Sequence, residues 1–548
     1  MFSYRTPGLR DTGRVAGRTV RDASFDVLRE RGLTTIFGNP GSTEIPFLTD
    51  LPPDLRFVLA LHEASVVGLA TGWALARNEP AFALLHTTAG LGNAVGALAT
   101  ARVNRAPLVV LVGQQDRRHL ALEPFLAGRL EGLAGDYPVR VDLPLLAQDV
   151  PGALDRAWHE AKTGRGPALV IVPMDDWAQP AGDRERASPG RFVSASAAAD
   201  DAVAELDALL QGSRSPAIVA GAGAADDETW SALSALAERL GSPVWQEAFG
   251  ARPGFPQDHP LFAGFLPADR AGLRQALAGR DFVLAVGAPV FRQYAFAPGL
   301  LVEDNTKIAV VTDDPAEAHR SPAILAVLAH PASICARLAG RLAEREAPPA
   351  PLYGRPEALA PPPPGERLRA GHVLSLLAER LPADAVLVEE APSNRPELHG
   401  RIPARNPLGF VSAAMGGLGF ALPGATGLRM ALPDRPVVAV VGDGSALYTI
   451  QALWSAAHYG AGVLFVVLAN RGYAVMDLLA NEHGGEGPWP PFDIEIAELA
   501  RTLGTEARRI EEYDELVSAL DELVPDLPAR TNPFVLEIVV EPDAAFRP

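Results

Sequence analysis

Short apolar runs alternate with helical patterns along most of the chain, and the runs stop at small or polar residues. Residues 437–441, VVAVV, are the clearest case, ending at Gly442-Asp443-Gly444. A run that is apolar on both faces suits a strand buried inside a parallel sheet. Residues 446–459 then read as one helix with Ser445 as its cap, closed by Gly460. Residues 463–468 form a second buried strand that leads into Asn470-Arg471-Gly472. Two strands flanking one helix bring Asp443 and Asn470 together at the carboxyl ends of the sheet, where such sheets bind ligands.

The same alternation recurs in three blocks. Strands are expected at 34–37, 57–61, 82–86, 108–112 and 168–172, with helices at 19–32, 65–77, 93–104 and 152–162. The second block has helices at 200–211 and 331–343 and strands at 217–220, 244–247, 282–286 and 307–311. The third has a helix at 371–380 and strands at 385–388, 437–441, 463–468 and 534–540. Between them lie 175–191, rich in Asp, Pro, Arg and Ala, and 348–364, which contains PLYGRPEALAPPPP. Proline removes backbone donors and extends the chain, so the latter is a linker. The pattern predicts an α/β protein of three domains with parallel-sheet sandwiches. Their spans are 1–190, 191–345 and 365–548, with 346–364 as linker. The first and third share a coarse βα order without a sequence repeat.

Composition narrows the class. A net charge of −18 argues against binding to nucleic acid or to acidic membranes. No apolar stretch reaches membrane-spanning length. The amino terminus carries arginines but no apolar core and cleavage site, so cytoplasm is the expected compartment. The single cysteine, Cys335, excludes an internal disulfide and a thiolate metal cluster, and its helical context predicts a buried apolar role.

Asp443, Asn470 and the nearby backbone carbonyls are hard oxygen ligands, suited to Mg²⁺ with Ca²⁺ as the alternative, sharing the ion with phosphate oxygens and water. Free N–H groups at the helix start face the same anion. A GDG turn alone is weak; an Asn placed 27 residues after the Asp, behind a second apolar strand, is far more specific. Gly221-Ala222-Gly223-Ala224 lacks both a Walker lysine and a complete GxGxxG, and reads as a structural turn.

The GDG…N pattern resembles the diphosphate–metal motif of thiamine-diphosphate-dependent enzymes. Further runs resemble the benzoylformate decarboxylase branch: FGNPGSTEIPFL at 37–48, LALHEASVVGLATGWA at 59–74, LLHTTAGLGNAVGAL at 84–98 and VGQQ at 112–115. GAPVFR at 287–292, GGLGFALP at 416–423 and GDGSALYTIQALW at 442–454 extend the likeness over nearly the whole chain. The resemblance implies a pyrimidine-binding domain, a central domain without cofactor duty and a diphosphate-binding domain. It also implies a homo-oligomer, a tetramer built from dimers with shared active sites. The cofactors would be thiamine diphosphate and Mg²⁺ or Ca²⁺.

By the same resemblance Asp443, Asn470 and the Gly472 carbonyl hold the metal, while Gly444, Ser445 and Tyr473 lie against the diphosphate. Leu418 props the cofactor in its bent form and the Gly416 carbonyl accepts its 4′-amino group. Glu63 hydrogen-bonds the aminopyrimidine as the central acid–base group; taken alone it reads as a helix cap. Ser42 binds the substrate carboxylate, His86 relays protons, and Glu44 shapes the same pocket. Phe125, Leu126, Met476 and Leu479 face the substrate. Tyr294 stands where the relatives carry a second histidine, and Asp477-Leu478-Leu479 departs from their arginine–aromatic pattern. His483 is a candidate replacement imidazole. The implied reaction is non-oxidative decarboxylation of an aromatic 2-oxo acid, benzoylformate-like, to an aldehyde and CO₂. The alternatives are a carboligase or lyase of the acetolactate-synthase or benzaldehyde-lyase type, or a decarboxylase of another 2-oxo acid.

Overall fold

Three six-stranded parallel sheets organise the computed structural model, which describes residues 17–182, 198–346, 348–349 and 351–542. Most of the amino-terminal stretch and of the 175–191 segment, with its expected 190/191 boundary, lies outside the described residues. The first sheet holds β1 (Thr35–Gly38), β2 (Arg56–Leu59), β3 (Ala81–His86), β4 (Leu108–Gln114), β5 (Arg140–Asp142) and β6 (Pro167–Pro173), in the order β2-β1-β3-β4-β6-β5. The central sheet holds β7 (Pro216–Ala220), β8 (Val244–Gln246), β9 (Phe262–Phe265), β10 (Phe282–Val286), β11 (Lys307–Thr312) and β12 (Leu325–Leu328), ordered β12-β11-β10-β7-β8-β9. The third holds β13 (Val386–Glu390), β14 (Val411–Ser412), β15 (Val437–Gly442), β16 (Leu464–Ala469), β17 (Glu506–Ile510) and β18 (Phe534–Val539), ordered β14-β13-β15-β16-β18-β17. Counted within each unit, the first and third sheets share one strand order and the central sheet has another.

Interior strands such as β4, β7, β15 and β16 are buried almost throughout, as their apolar runs require. The edge strands β5, β9, β12, β14 and β17 were not legible as strands. Most mix half-buried or exposed positions into a short span, because one flank of an edge strand has no neighbour.

The boundaries shift where packing overrides local pattern. The stretch 87–92, between the strand expected at 82–86 and the helix expected at 93–104, is helical: Thr87–Val103 starts directly after β3. Gly90 serves close approach rather than a turn, since a Cβ there would meet the Leu85 carbonyl carbon at 3.3 Å. The single helix expected at 446–459 is two, Asp443–Ala446 and Ala452–Tyr459. The break packs against Gly419: the Thr449 hydroxyl donates to the Gly419 carbonyl at 3.0 Å, and Tyr448 and Thr449 crowd the space a Cβ would take. Ser445 therefore lies inside the first helix, and Gly442 is its N-cap. The start of the 175–191 segment also packs, with buried Trp177 against Phe47 at 4.7 Å between ring centroids.

One hydrophobic core joins the first and third domains. The helix Glu63–Arg77 crosses the helix Ala421–Ala431 with backbones nearly touching. A Cβ on Gly68 would come within 2.6 Å of Pro423, one on Gly72 would land on the Gly424 carbonyl oxygen, and one on Gly427 on that of Leu69. Among the described residues no helix is long and apolar enough to cross a membrane. Cys335 is buried in the central core, where desolvation pushes its thiol up to about 12.

Candidate active site

β15 and β16 pair in parallel with Gly442 beside Leu468, so both strands deliver their next residues to one edge. Asp443 is buried, and its two carboxylate oxygens accept the Gly444 N–H at 2.8 Å and the Arg471 N–H at 2.6 Å. Asn470 accepts the Gly472 N–H at 3.1 Å. Arg471, between them, is held at φ +60°, a conformation that costs a non-glycine residue free energy and concentrates at functional turns. Burial pushes the Asp443 carboxyl above its ordinary range, partly opposed by the two N–H donors. A cavity of about 440 Å³ opens over this edge, and Asp443, Gly444, Ser445, Asn470, Gly472 and Tyr473 contribute to its walls.

Gly416 and Leu418 line the same cavity. They sit in a turn whose Gly416 and Gly419 have φ +77° and +98°, the left-handed region that glycine enters freely. Beneath the turn lies Glu390, at the end of β13, accepting N–H bonds from Gly419 and Phe420 at 2.7 Å and from Ala421 at 2.8 Å. Desolvation raises its carboxyl to about 7; the three N–H donors pull it down, and the neighbouring Glu389 charge pushes it up. A second cavity of about 390 Å³ adjoins the first, sharing Pro392, Gly416 and Leu418 and walled by Phe249, Tyr294 and Met415.

The first domain carries a separate cluster. Glu63 opens the helix Glu63–Arg77 but does not cap it: the His62 imidazole accepts the Ala64 N–H instead. The two oxygens of the buried Glu63 carboxylate accept the side-chain amides of Asn39 at 3.0 Å and Asn93 at 3.1 Å. His86 ends β3, with its Nδ1 at 2.9 Å from a Glu44 oxygen and 3.0 Å from the Thr43 hydroxyl. Glu44 is fully buried, anchored by the Gly41 N–H at 2.8 Å and by the Thr43 hydroxyl, in a hollow left by Gly113. The His86 ring rests on Gly41, where any Cβ would collide with it. A carboxylate only accepts, so Nδ1 carries the proton and Nε2 is left for exchange.

The N-terminal TPP binding domain of the thiamine pyrophosphate enzymes matches residues 18–132, their central domain 203–338 and their C-terminal TPP binding domain 398–538. Benzoylformate decarboxylase of Pseudomonas aeruginosa is 39% identical over 528 residues, covering 95% of this chain and 98% of the relative. The chain belongs to the thiamine-diphosphate-dependent 2-oxo acid decarboxylases. Among solved structures, a Rhodococcus jostii thiamine diphosphate-dependent 4-hydroxybenzoylformate decarboxylase superposes with a TM-score of 0.90 at 34% identity, covering 96% of this chain and all of the other. Benzoylformate decarboxylase from Polynucleobacter necessarius gives 0.91 at 33%, covering 96% of this chain and 99% of the other.

The residues present fit what this decarboxylase family binds. Asp443, Asn470 and the Gly472 carbonyl offer oxygen donors alone, and among the described residues no group of three or more His, Cys, Asp or Glu could hold a metal. A site with one carboxylate and two neutral oxygens suits an ion that shares its shell with a diphosphate. The Gly221–Ala224 turn of the central domain, by contrast, spends its donors internally: Ala222 N–H on Glu247 and Gly223 N–H on the Gly287 carbonyl.

The expected substrate residues are dispersed. Met476 lines the metal-side cavity and Tyr294 the adjoining one. Leu479 lines neither, Phe125 is 87% exposed, and Leu126 is half-buried in the same loop at φ +68°. Ser42 is exposed on the loop that carries Glu44. Glu44 does not form a pocket wall, because its carboxylate is consumed behind His86. His483 is exposed and lines neither cavity. Asn39, Asn93, Glu390 and Trp489 were missed. The signal for Glu390 was a Glu-Glu pair closing an apolar strand, which the sequence reading ended two residues early, at 388. Asp477, out of pattern with the relatives, accepts the Trp489 indole N–H at 2.8 Å, and Trp489 lines the metal-side cavity.

Proposed function

We propose that the chain decarboxylates an aromatic 2-oxo acid of the benzoylformate type, releasing an aldehyde and CO₂. The reading is carried by the cavity against Leu418, whose Phe249, Tyr294 and Met415 walls offer apolar and aromatic surface to such a side chain, beside the ionisable Arg292, Glu389, Glu390 and Arg395. The relatives named for benzoylformate and 4-hydroxybenzoylformate support it. Thiamine diphosphate, when bound, supplies the electron sink that lets a 2-oxo acid lose CO₂.

In this proposal Asp443, Asn470 and the Gly472 carbonyl hold Mg²⁺, with Ca²⁺ as the alternative, and Gly444, Ser445 and Tyr473 lie against the diphosphate. Glu63, steadied by Asn39 and Asn93, holds and exchanges a proton with the aminopyrimidine. His86 moves a proton through Nε2 to and from the oxygen of the substrate's keto carbon, and Ser42 orients the carboxylate. The Gly41 N–H and the Thr43 hydroxyl fix Glu44 in place behind the His86 ring.

The metal-side cavity is lined only by third-domain residues, without Glu63, His86 or Ser42. A complete site therefore takes the first domain of a second copy, which supports a homo-oligomer, a tetramer of dimers with shared sites. The division at 1–190, 191–345 and 365–548 belongs to the same proposal. Tyr294 favours one second reading. A phenol hydroxyl lacks the second ring nitrogen with which an imidazole relays a proton, which leaves room for carboligation to an acceptor aldehyde.

The test is a time-resolved assay of the purified protein with thiamine diphosphate and Mg²⁺, following benzoylformate loss and benzaldehyde formation together. Cofactor-dependent conversion with matching stoichiometry is expected. No turnover of benzoylformate alongside turnover of a branched aliphatic 2-oxo acid overturns the aromatic reading. Benzoylformate loss without benzaldehyde, accompanied by a 2-hydroxy ketone, selects the carboligase.

A further inference from the structure

We propose that Glu390 is a positioning residue that shapes the Gly416–Gly419 turn for the aminopyrimidine end of thiamine diphosphate. The inference rests on the cofactor reading of the cavity and makes no use of the substrate.

The turn Gly416-Gly417-Leu418-Gly419 has three glycines, so it has almost no side chains with which to fix its own shape. Its order must come from outside. Besides the Gly416 N–H on the Ala413 carbonyl at 2.9 Å, two side chains among the described residues hydrogen-bond it: the Thr449 hydroxyl on the Gly419 carbonyl at 3.0 Å, and Glu390 on the Gly419 N–H at 2.7 Å. That N–H belongs to the peptide whose carbonyl is Leu418's, so the Glu390 bond sets the peptide plane immediately after Leu418. The other Glu390 oxygen takes the Phe420 and Ala421 N–H groups, donors at a helix start that have no partner within the helix. One carboxylate thus ties the turn to the start of helix Ala421–Ala431, and that helix is locked against the helix opened by Glu63. Glu390 is only 6% exposed, and it contributes to the wall of the adjoining cavity.

A Gln at this position keeps one acceptor oxygen but turns an NH₂ group towards backbone donors. At least one of the three N–H groups is then left buried without a partner, and the turn must shift. The diphosphate and metal end of the cavity, built from Asp443 and Asn470, is held by other bonds and stays in place.

The experiment compares calorimetric binding of two ligands, Mg²⁺-pyrophosphate and Mg²⁺-thiamine diphosphate, to the full chain and to Glu390→Gln. Hydrogen–deuterium exchange at C2 of the bound cofactor, followed by quenched NMR, adds a readout without substrate. Pyrophosphate affinity should stay within about twofold, while thiamine diphosphate affinity and the C2 exchange rate each fall about tenfold, the size expected for loss of one hydrogen bond. Equal weakening of both ligands overturns the proposal, because Glu390 then only supports the domain. Unchanged thiamine diphosphate affinity and exchange overturn it as well. Thr449→Val removes only the second tie to the turn; it should move the same two readouts in the same direction, and its failure to do so counts against the proposal even where Glu390→Gln does not fold.

Discussion

His86 Nδ1 lies 2.9 Å from a Glu44 carboxylate oxygen that no water reaches. A carboxylate on one ring nitrogen selects the tautomer that leaves the other nitrogen open to accept a proton, which sequence spacing between positions 44 and 86 does not reveal. His86→Ala should lower kcat about 10²–10⁴-fold, the range of a lost general acid–base group. Glu44→Gln keeps an acceptor for the Nδ1–H and should cost less, about 10-fold in kcat, with thiamine diphosphate affinity preserved. A Glu44→Gln enzyme with unaltered kcat would remove the pair from the mechanism.

Glu63 is held by two amides, from Asn39 and Asn93, rather than by a cation. Glu63→Gln should retain the fold and lower C2 exchange of bound thiamine diphosphate by about 10²-fold or more. Asn93→Ala frees one carboxylate oxygen and should give an intermediate loss. Melting curves alongside the exchange measurement separate this from unfolding.

The metal end answers to a different test. Asp443→Asn should abolish the Mg²⁺ dependence of cofactor binding, because a neutral amide replaces the sole carboxylate among the proposed ligands. Exhaustive chelation of the unaltered protein should reproduce this loss, with recovery on adding Mg²⁺ back. Calorimetry of thiamine diphosphate with and without Mg²⁺ reads both.

Helix crossing sets a stability prediction. Gly72→Ala or Gly427→Ala puts a methyl group onto a backbone carbonyl oxygen of the facing helix. Neither backbone can yield, so each should destabilise the chain by about 1–3 kcal/mol or more, read as a lower denaturant midpoint.

Glu390 carries a pH signature. Its carboxyl stands at about 7 in the folded chain against an ordinary 4.5. Between those values the native state holds the proton that the unfolded chain releases. The group's stabilising contribution is therefore complete below 4.5 and is lost as pH rises through 7. Denaturant unfolding of the cofactor-free protein at pH 5, 6 and 7 should include this fall, at most about 1.4 kcal/mol per pH unit. Glu390→Gln should flatten that part of the curve.

The sheets' interiors were legible because strands buried on both faces are written as unbroken apolar runs; Val437–Gly442 and Leu464–Ala469 are the plainest. Asp443 and Asn470 were legible for the same reason, since each directly follows such a run. Apart from β2, expected at 57–61, the edge strands and the break at 447–451 were not, because tertiary neighbours decide them: Thr449 leaves the helix to reach Gly419. Support residues escaped for a related cause. Asn39, Asn93 and Glu390 act on partners 24, 30 and 29 to 31 positions away in the chain, and nothing local marks them.

The glycine-lined crossing of Glu63–Arg77 with Ala421–Ala431 also constrains how such a chain can be recombined. Each helix is carved to the other's backbone, so the first and third domains are inherited as a matched pair. A chimera that takes one of them from a relative meets a foreign groove at Gly68, Gly72 and Gly427, whereas one that takes both keeps the fit. Shuffling between relatives should therefore succeed where the central domain is the part exchanged.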